Sequence, residues 1–189
     1  SITVFSNNFN TGLYPPILKE YAAKNNKRMF SLIFNGSKMT FFLMWLIALP
    51  VFIHLDLLLS FWLKNPPHGS VIFTRLLLIE VLFNSISLPV ATAARANGKV
   101  RAYELSLGIM QICTFILSFI LLKNGEKVEA VFYLAIFVSF LMFIVRLLFV
   151  KKGIALSLHD YCIKVIAPVS LVMIFSAVPS IFLFLFCPH

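Results

Sequence analysis

"VIFTRLLLIEVLFNSISLPVATAARANGKVR", residues 71–101, decides how this chain is read. It opens as an apolar run long enough to cross a membrane. About 20 residues rising about 1.5 Å each match about 30 Å of hydrocarbon. Yet Arg75, Glu80 and Asn84 stand inside the run, and Arg95, Lys99 and Arg101 close it. Arg75 lies roughly 6 Å from the end of the helix this spacing predicts, so its long side chain can reach the interface. Glu80 sits close to the midplane. An isolated carboxylate there costs about 2.5–3.5 kcal/mol on insertion scales, so it must be protonated, paired or facing water. Five residues turn a helix by about 140°, which makes an Arg75–Glu80 pair poor geometry and favours a partner on another helix. Asn84 follows Glu80 by one turn and shares its face. Ionisable residues inside a membrane mark substrate or ion pathways by default. The competing reading of Glu80 is a structural contact between helices, and that of Arg75 an interfacial anchor.

The rest of the chain agrees with a membrane setting. Of 189 residues, 60% are hydrophobic and only 12% charged, and 21 are phenylalanine. Mean hydropathy is +0.96. A soluble domain carries about 25% charged residues, so this composition leaves too little polar surface to cover one. The first residues lack an initiating methionine and a basic n-region, so they do not read as a secretory signal, and the chain reads as a piece of something longer. Cys113, Cys162 and Cys187 are widely spaced and show neither a disulfide framework nor metal-ligand spacing.

Five stretches predict spanning helices: about 39–55, 71–94, 102–122, 128–150 and 163–186. The segment before Lys19 predicts the inner end of one further helix. Lysines and arginines alternate between the connecting segments. Residues 1–38 carry Lys19, Lys24, Lys27, Arg28 and Lys38, the 95–101 loop carries three, and residues 146–164 carry four. The intervening loops carry Lys64, and Lys123 with Lys127. The balance is twelve against three, with Arg75 left inside a span. By the positive-inside rule the start is cytoplasmic and the end external. The net charge of +9 therefore expresses membrane topology, and a nucleic-acid partner is not expected. "HLDLLLSFWLKNPP" and "ALSLHDYCIK" predict interfacial segments at the outer and inner face respectively. Pro50, Pro89, Pro168 and Pro179 interrupt the spans.

The inner half of the opening stretch, "NSISLPVATAARANG", is small and polar, which suits close helix packing. Arg95, Lys99 and Arg101 form a basic mouth. Plain topological charge explains them. Capture of an anionic head group such as a diphosphate is the sharper reading. Gln111, Thr114 and Ser118 share one stripe, suited to a wet cavity or to interhelical bonds. Arg146 reads as an interfacial anchor and Asp160 as a surface residue. His54, His68, His159 and His189 are scattered, and there is no HExxH, phosphate loop or nucleophile elbow. No enzyme, metal or cofactor is expected.

Several motifs resemble a known family. "NNFNTGLYPPILKEYAAKNNKRMFSLIFNGSKMTFFL" resembles the junction of the eighth and ninth helices in bacterial polysaccharide flippases of the Wzx type. These belong to the multidrug/oligosaccharidyl-lipid/polysaccharide exporter superfamily. "FWLKNPPHGSVIFTRLLLI" and "PVATAARANGKVRAYEL" resemble the outer loop, tenth helix and inner turn that follow, and the likeness covers nearly the whole chain. It implies an all-α, polytopic transmembrane bundle with interfacial helices. The chain would be a single membrane domain, 1–189, forming the second half of a transporter with twelve to fourteen helices in two halves. It implies flipping of an undecaprenyl-diphosphate-linked oligosaccharide across the bacterial inner membrane by alternating access, for O-antigen or capsule synthesis. Coupling to H+ or Na+ and polysaccharide polymerase partners follow from the same likeness. A cationic cavity in that family receives the anionic head, and Arg75 takes that role here. Glu80 rests on physics alone, as a carboxylate able to load and release a proton. The alternatives are a multidrug-type cation antiporter of the same superfamily and a membrane polymerase or glycosyltransferase. The short outer loops weigh against the last.

Overall fold

The computed structural model describes residues 2–63, 67, 69–96 and 100–186, with backbone alone for 2–7, 9, 10 and 180–186. Regular structure among them is entirely helical. The chain runs through α1 (Ile2–Ala22), α2 (Asn26–Ile53), α3 (Leu55–Leu63), α4 (Ser70–Ala96), α5 (Val100–Lys123) and α6 (Val128–Ile154). It closes with α7 (Leu158–Tyr161), a π-helical turn (Cys162–Ile166) and α8 (Ala167–Phe186). Five stretches are long and apolar enough to cross a membrane: Asn26–Ile53, Ser70–Ala96, Val100–Lys123, Val128–Ile154 and Leu158–Pro179.

Three boundaries differ from the sequence reading. The first spanning helix begins at Asn26 rather than near 39. Asn25 caps it, its side chain accepting from the Arg28 amide at 3.4 Å. Met29 and Ile33 continue the buried stripe beneath the lysines. The lysines masked that stripe, because they occupy the other faces of the same helix. Residues before Lys19 form a full helix, α1, which runs through Pro15 and Pro16. "ALSLHDYCIK" is not a separate interfacial helix. Ser157 caps Leu158–Tyr161 by accepting from the Asp160 amide, and the helix runs on through the π turn into α8. "HLDLLLSFWL" does form its own short helix, α3, set off from α2 by a bend at His54. Its Leu55 and Leu59 are buried, while Phe61 and Trp62 are exposed.

Contacts fix the direction of each helix. α1 and α2 form a hairpin through Lys24 (φ 56), with Glu20 and Arg28 3.9 Å apart beside the turn. α2 and α4 are antiparallel: Gly36 lies against Pro89, and Phe52 lies beneath Arg75 at the other end. α4 and α6 are parallel with a repeating register. Phe73 stacks on Phe132 at 5.1 Å, Ser139 donates to Glu80, and Arg146 donates to Ser87. Both hydrogen-bonded pairs are 59 residues apart in sequence, and each layer follows the last by one heptad, about 10 Å along the axis. A heptad repeat is the pattern of parallel helices that keep one seam in contact. α8 runs parallel to α2, tied by Tyr161 to Ser37 and by Trp45 Nε1 to Ser176 Oγ at 2.7 Å. α5 lies at the edge, and only Tyr103 and Leu107 of it are buried.

These directions gather Lys24, Lys27, Arg28, Arg95, Arg101, Lys151, Lys152 and Lys164 at one end of the bundle, the basic end. Asp56, Arg75, Lys123, Glu126 and Lys127 lie towards the opposite end. The small polar half of α4 packs almost completely, with Ser85–Ser87 and Pro89–Ala94 all buried. Its hydroxyls are satisfied within the helix: Ser85 donates to the Leu82 carbonyl at 2.7 Å and Ser87 to that of Asn84 at 2.9 Å.

Candidate functional site

The residues marked in the opening stretch stand at separate places. Arg75, at the end away from the basic cluster, donates from Nη2 to Asp56 Oδ2 at 3.1 Å and lies 5.6 Å from the Phe52 ring centroid. Among the described residues its Nε is buried without a partner. The pair ties α3 to α4. Glu80 is half-buried on the α4–α6 seam, where its Oε1 accepts from Ser139 Oγ at 3.2 Å. The partner is thus on another helix. Asn84 is half-buried one turn further along. Gln111 is exposed on α5, apart from Glu80. At the basic end Arg95 Nε donates to Glu104 Oε1 at 2.8 Å, so a carboxylate already holds this guanidinium. Arg101 is exposed, and Lys99 lies outside the described residues.

Arg146 is not an interfacial anchor. It is half-buried against α4, where its Nη1 donates to Ser87 Oγ, and its Nε is buried without a partner among the described residues. Tyr103 is fully buried beside it, and the fields of Arg146 and Arg95 both reach its hydroxyl. The α4–α6 seam therefore carries one acid and one base a heptad apart, Glu80 and Arg146.

Two successive cavities along α2 and the last long helix, with no lining residue in common, make up a groove that was not foreseen from the sequence. Near the basic end it is a cavity of about 540 Å³ bordered by Lys27, Ser31, Asn35 and Lys38 from α2 and by Asp160 and Lys164 across from them. Towards the opposite end lies an apolar cavity of about 500 Å³, walled by Phe41, Trp45, Phe52, Phe83 and Phe140 among others. On α2 the two cavities take residues 27, 30, 31, 34, 35, 38, 41, 45, 49, 52 and 53, which together cover one broad side of the helix. The readable signal was this 3.6-residue stripe through the lysines, hidden when the helix is begun at 39.

The π turn keeps the opposite wall aligned. Pro168 has no N–H to give the Lys164 carbonyl, and its ring crowds the preceding turn. The helix widens there, with the Ala167 amide donating to Cys162. The extra residue rotates the following face. Lys164 then shares the groove with Val169, Met173 and Ala177 rather than with residues 168 and 171.

Chemically, the groove offers ammonium groups and neutral donors at one end and aromatic surface at the other. Among the described residues no group of histidine, cysteine or acidic side chains is placed to hold a metal. Fold and groove define a polytopic, all-α protein of membrane type. Comparison with protein-family models, curated proteins and solved structures finds no match.

Proposed function

We propose that the chain is part of a flippase that moves an undecaprenyl-diphosphate-linked oligosaccharide from the cytoplasmic to the outer leaflet of the bacterial inner membrane. The observation that carries this reading is the groove along α2, cationic at one end and aromatic along the rest. An amphiphile with an anionic head and a long apolar chain is the ligand that matches both parts. The charge sign weighs against a cationic drug, since three lysines face the cavity and one aspartate does. The excess of lysine and arginine at one end supports placing that end in the cytoplasm. Parallel α4 and α6 with a repeating seam supply a rigid unit that can rock as a body, as alternating access requires.

The test uses a strain lacking the gene. Polyprenyl-linked lipids are extracted and the leaflet holding the completed oligosaccharide-lipid is determined. Accumulation on the cytoplasmic side, relieved by the restored gene, is the expected result. Loss of the completed lipid altogether would mean an assembly enzyme, and a normal pool would end the reading.

A further inference from the structure

The basic cavity has features that topology alone does not require. Lys27 and Lys164 are exposed at its mouth and Lys38 is half-buried. Here Lys27 and Lys38 share one α2 face with Ser31 and Asn35, and Lys164 meets them from the π turn. The Lys164 ammonium lies 5.7 Å from the centroid of the Phe34 ring, an attraction that holds it over the cavity wall. Among the described residues no carboxylate lies within 4.0 Å of any of the three lysines, and the ion pairs that do form are elsewhere. Arg95, the most obvious cation of the α4 mouth, is by contrast already paired with Glu104. Asp160 is the one acid on this cavity, which leaves an excess of positive charge.

Depth narrows the ligand. α2 has 28 residues, about 42 Å, which covers the hydrocarbon and both headgroup layers. With Ile53 at the outer edge, about 20 residues of hydrocarbon reach back to about residue 34, so Lys27 and Ser31 stand at headgroup level, and Asn35 and Lys38 lie just inside the boundary, within snorkelling reach of it. The aromatic cavity then begins where acyl or prenyl chains begin. A free anion would find the lysines but make no use of the aromatic walls.

We infer that Lys27, Lys38 and Lys164, with Ser31 and Asn35, form a binding site for the phosphate groups of a lipid whose chain lies in the adjoining aromatic cavity. This rests on the proposed function above and assigns its head-group contacts to the α2 groove, away from Arg75 and Arg95. The ammonium groups neutralise the phosphate oxygens. Ser31 and Asn35 donate to them, Asn35 Nδ2 giving up its 3.3 Å bond to Ser31 Oγ. Asp160 opposes the anion and sets a limit on its affinity, so that a bound head can leave.

The test measures binding to the full chain in phosphatidylcholine nanodiscs. The probes are geranylgeranyl diphosphate, geranylgeraniol and inorganic pyrophosphate. K27Q, K38Q and K164Q should each weaken geranylgeranyl diphosphate roughly tenfold, the scale of a lost charge-assisted contact. D160N should strengthen it about threefold, within the range of exposed ion interactions. A gain in D160N cannot arise from misfolding. Geranylgeraniol should bind wild type and all four variants alike. Diphosphate binding unchanged across the four variants would overturn the site. So would pyrophosphate binding as tightly as the lipid, which would mean a free-anion site. Loss of the signal in phosphatidylglycerol nanodiscs would mean that ordinary bilayer lipid occupies it, and would also overturn the assignment. If geranylgeraniol fails to bind while the lysine effects persist, the apolar half of the proposed function is lost and the anion site stands. If it binds while the lysine effects are absent, the reverse holds.

Discussion

Tyr161 is fully buried where four helices meet. Its hydroxyl lies 3.1 Å from Ser37 Oγ and 3.4 Å from the Ile86 carbonyl, and its ring packs against Phe34 and Phe143 at centroid distances of 5.9 and 6.1 Å. Tyr161→Phe keeps the ring and removes the hydrogen bonds. It should cost about 1 kcal/mol, whereas Tyr161→Ala should cost about 3–5 kcal/mol through the cavity left behind. Thermal unfolding in detergent separates the two, and equal losses would show that packing carries nothing beyond the hydroxyl. Gly36 makes a second test. A Cβ added there would lie 2.7 Å from Leu13 Cδ1 and 3.5 Å from Pro89. The near atom is the tip of a flexible side chain, so Gly36→Ala should cost under about 1 kcal/mol. Gly36→Leu has no room between α1 and α4 and should cost about 1–3 kcal/mol in the same assay. Neither site was legible in the sequence. A tyrosine in "LHDYCIK" or a glycine in "FNGSK" carries no sign of which distant helix it will meet. Glu80 was legible, because a carboxylate among leucines demands a partner whatever the fold. Its partner, Ser139, was not, since any hydroxyl on a neighbouring helix would have served.

Among the elements, the π turn at Cys162–Ile166 has the most defined cause and the most testable consequence. Pro168 withholds one amide, and the widened turn sets Asp160 and Lys164 on the groove. Pro168→Ala restores the donor and lets the helix close to 3.6 residues per turn. Helicity by circular dichroism should stay the same or rise slightly, while binding of geranylgeranyl diphosphate falls about tenfold as Lys164 turns away, a loss equal to one charge-assisted contact. Unchanged binding in a folded variant would mean that the turn has no part in aligning the groove. Periodicity placed α4 and α5 within two residues at each end because polar turns bound their apolar runs, whereas α6 runs on past the expected end at 150, through Lys151 and Lys152 to Ile154. It failed on α2 because apolar content is a poor guide where a helix leaves the hydrocarbon. Lys27 and Lys38 read as loop charges, yet the Asn25 cap and the buried Met29, Ile33 and Phe34 carry the helix through them. The π turn escaped for a related reason. A proline in a span predicts an interruption but not its form, which depends on what lies alongside.

At the scale of the whole molecule, exposed apolar residues crowd the long helices, including Leu46, Phe115, Phe119 and Phe175. A soluble protein rarely shows so large an apolar surface, and lipid is the solvent that makes it stable. Charge then decides which end faces which compartment. Lys24, Lys27, Arg28, Arg101, Lys151, Lys152 and Lys164 meet at one end, while the Asn124–Lys127 connection at the other mixes Glu126 with Lys127. Near an anionic leaflet each exposed lysine or arginine contributes about 1 kcal/mol, so the sum far exceeds thermal energy. The basic end should therefore face the cytoplasm, and with it the lysine cavity. Cys162 is exposed at that end, and Asn124 at the other can be replaced by cysteine. With the chain in the bacterial inner membrane, as proposed, and bearing a single cysteine, a membrane-impermeant maleimide should label Asn124→Cys when only the outer membrane is opened. Cys162 should react only after the inner membrane is permeabilised. The reverse pattern would put Lys27, Lys38 and Lys164 in the outer leaflet. A cationic pocket there would favour the flipped state of an anionic lipid, so the groove would serve release or retention, and the direction of transport proposed above would fail with it.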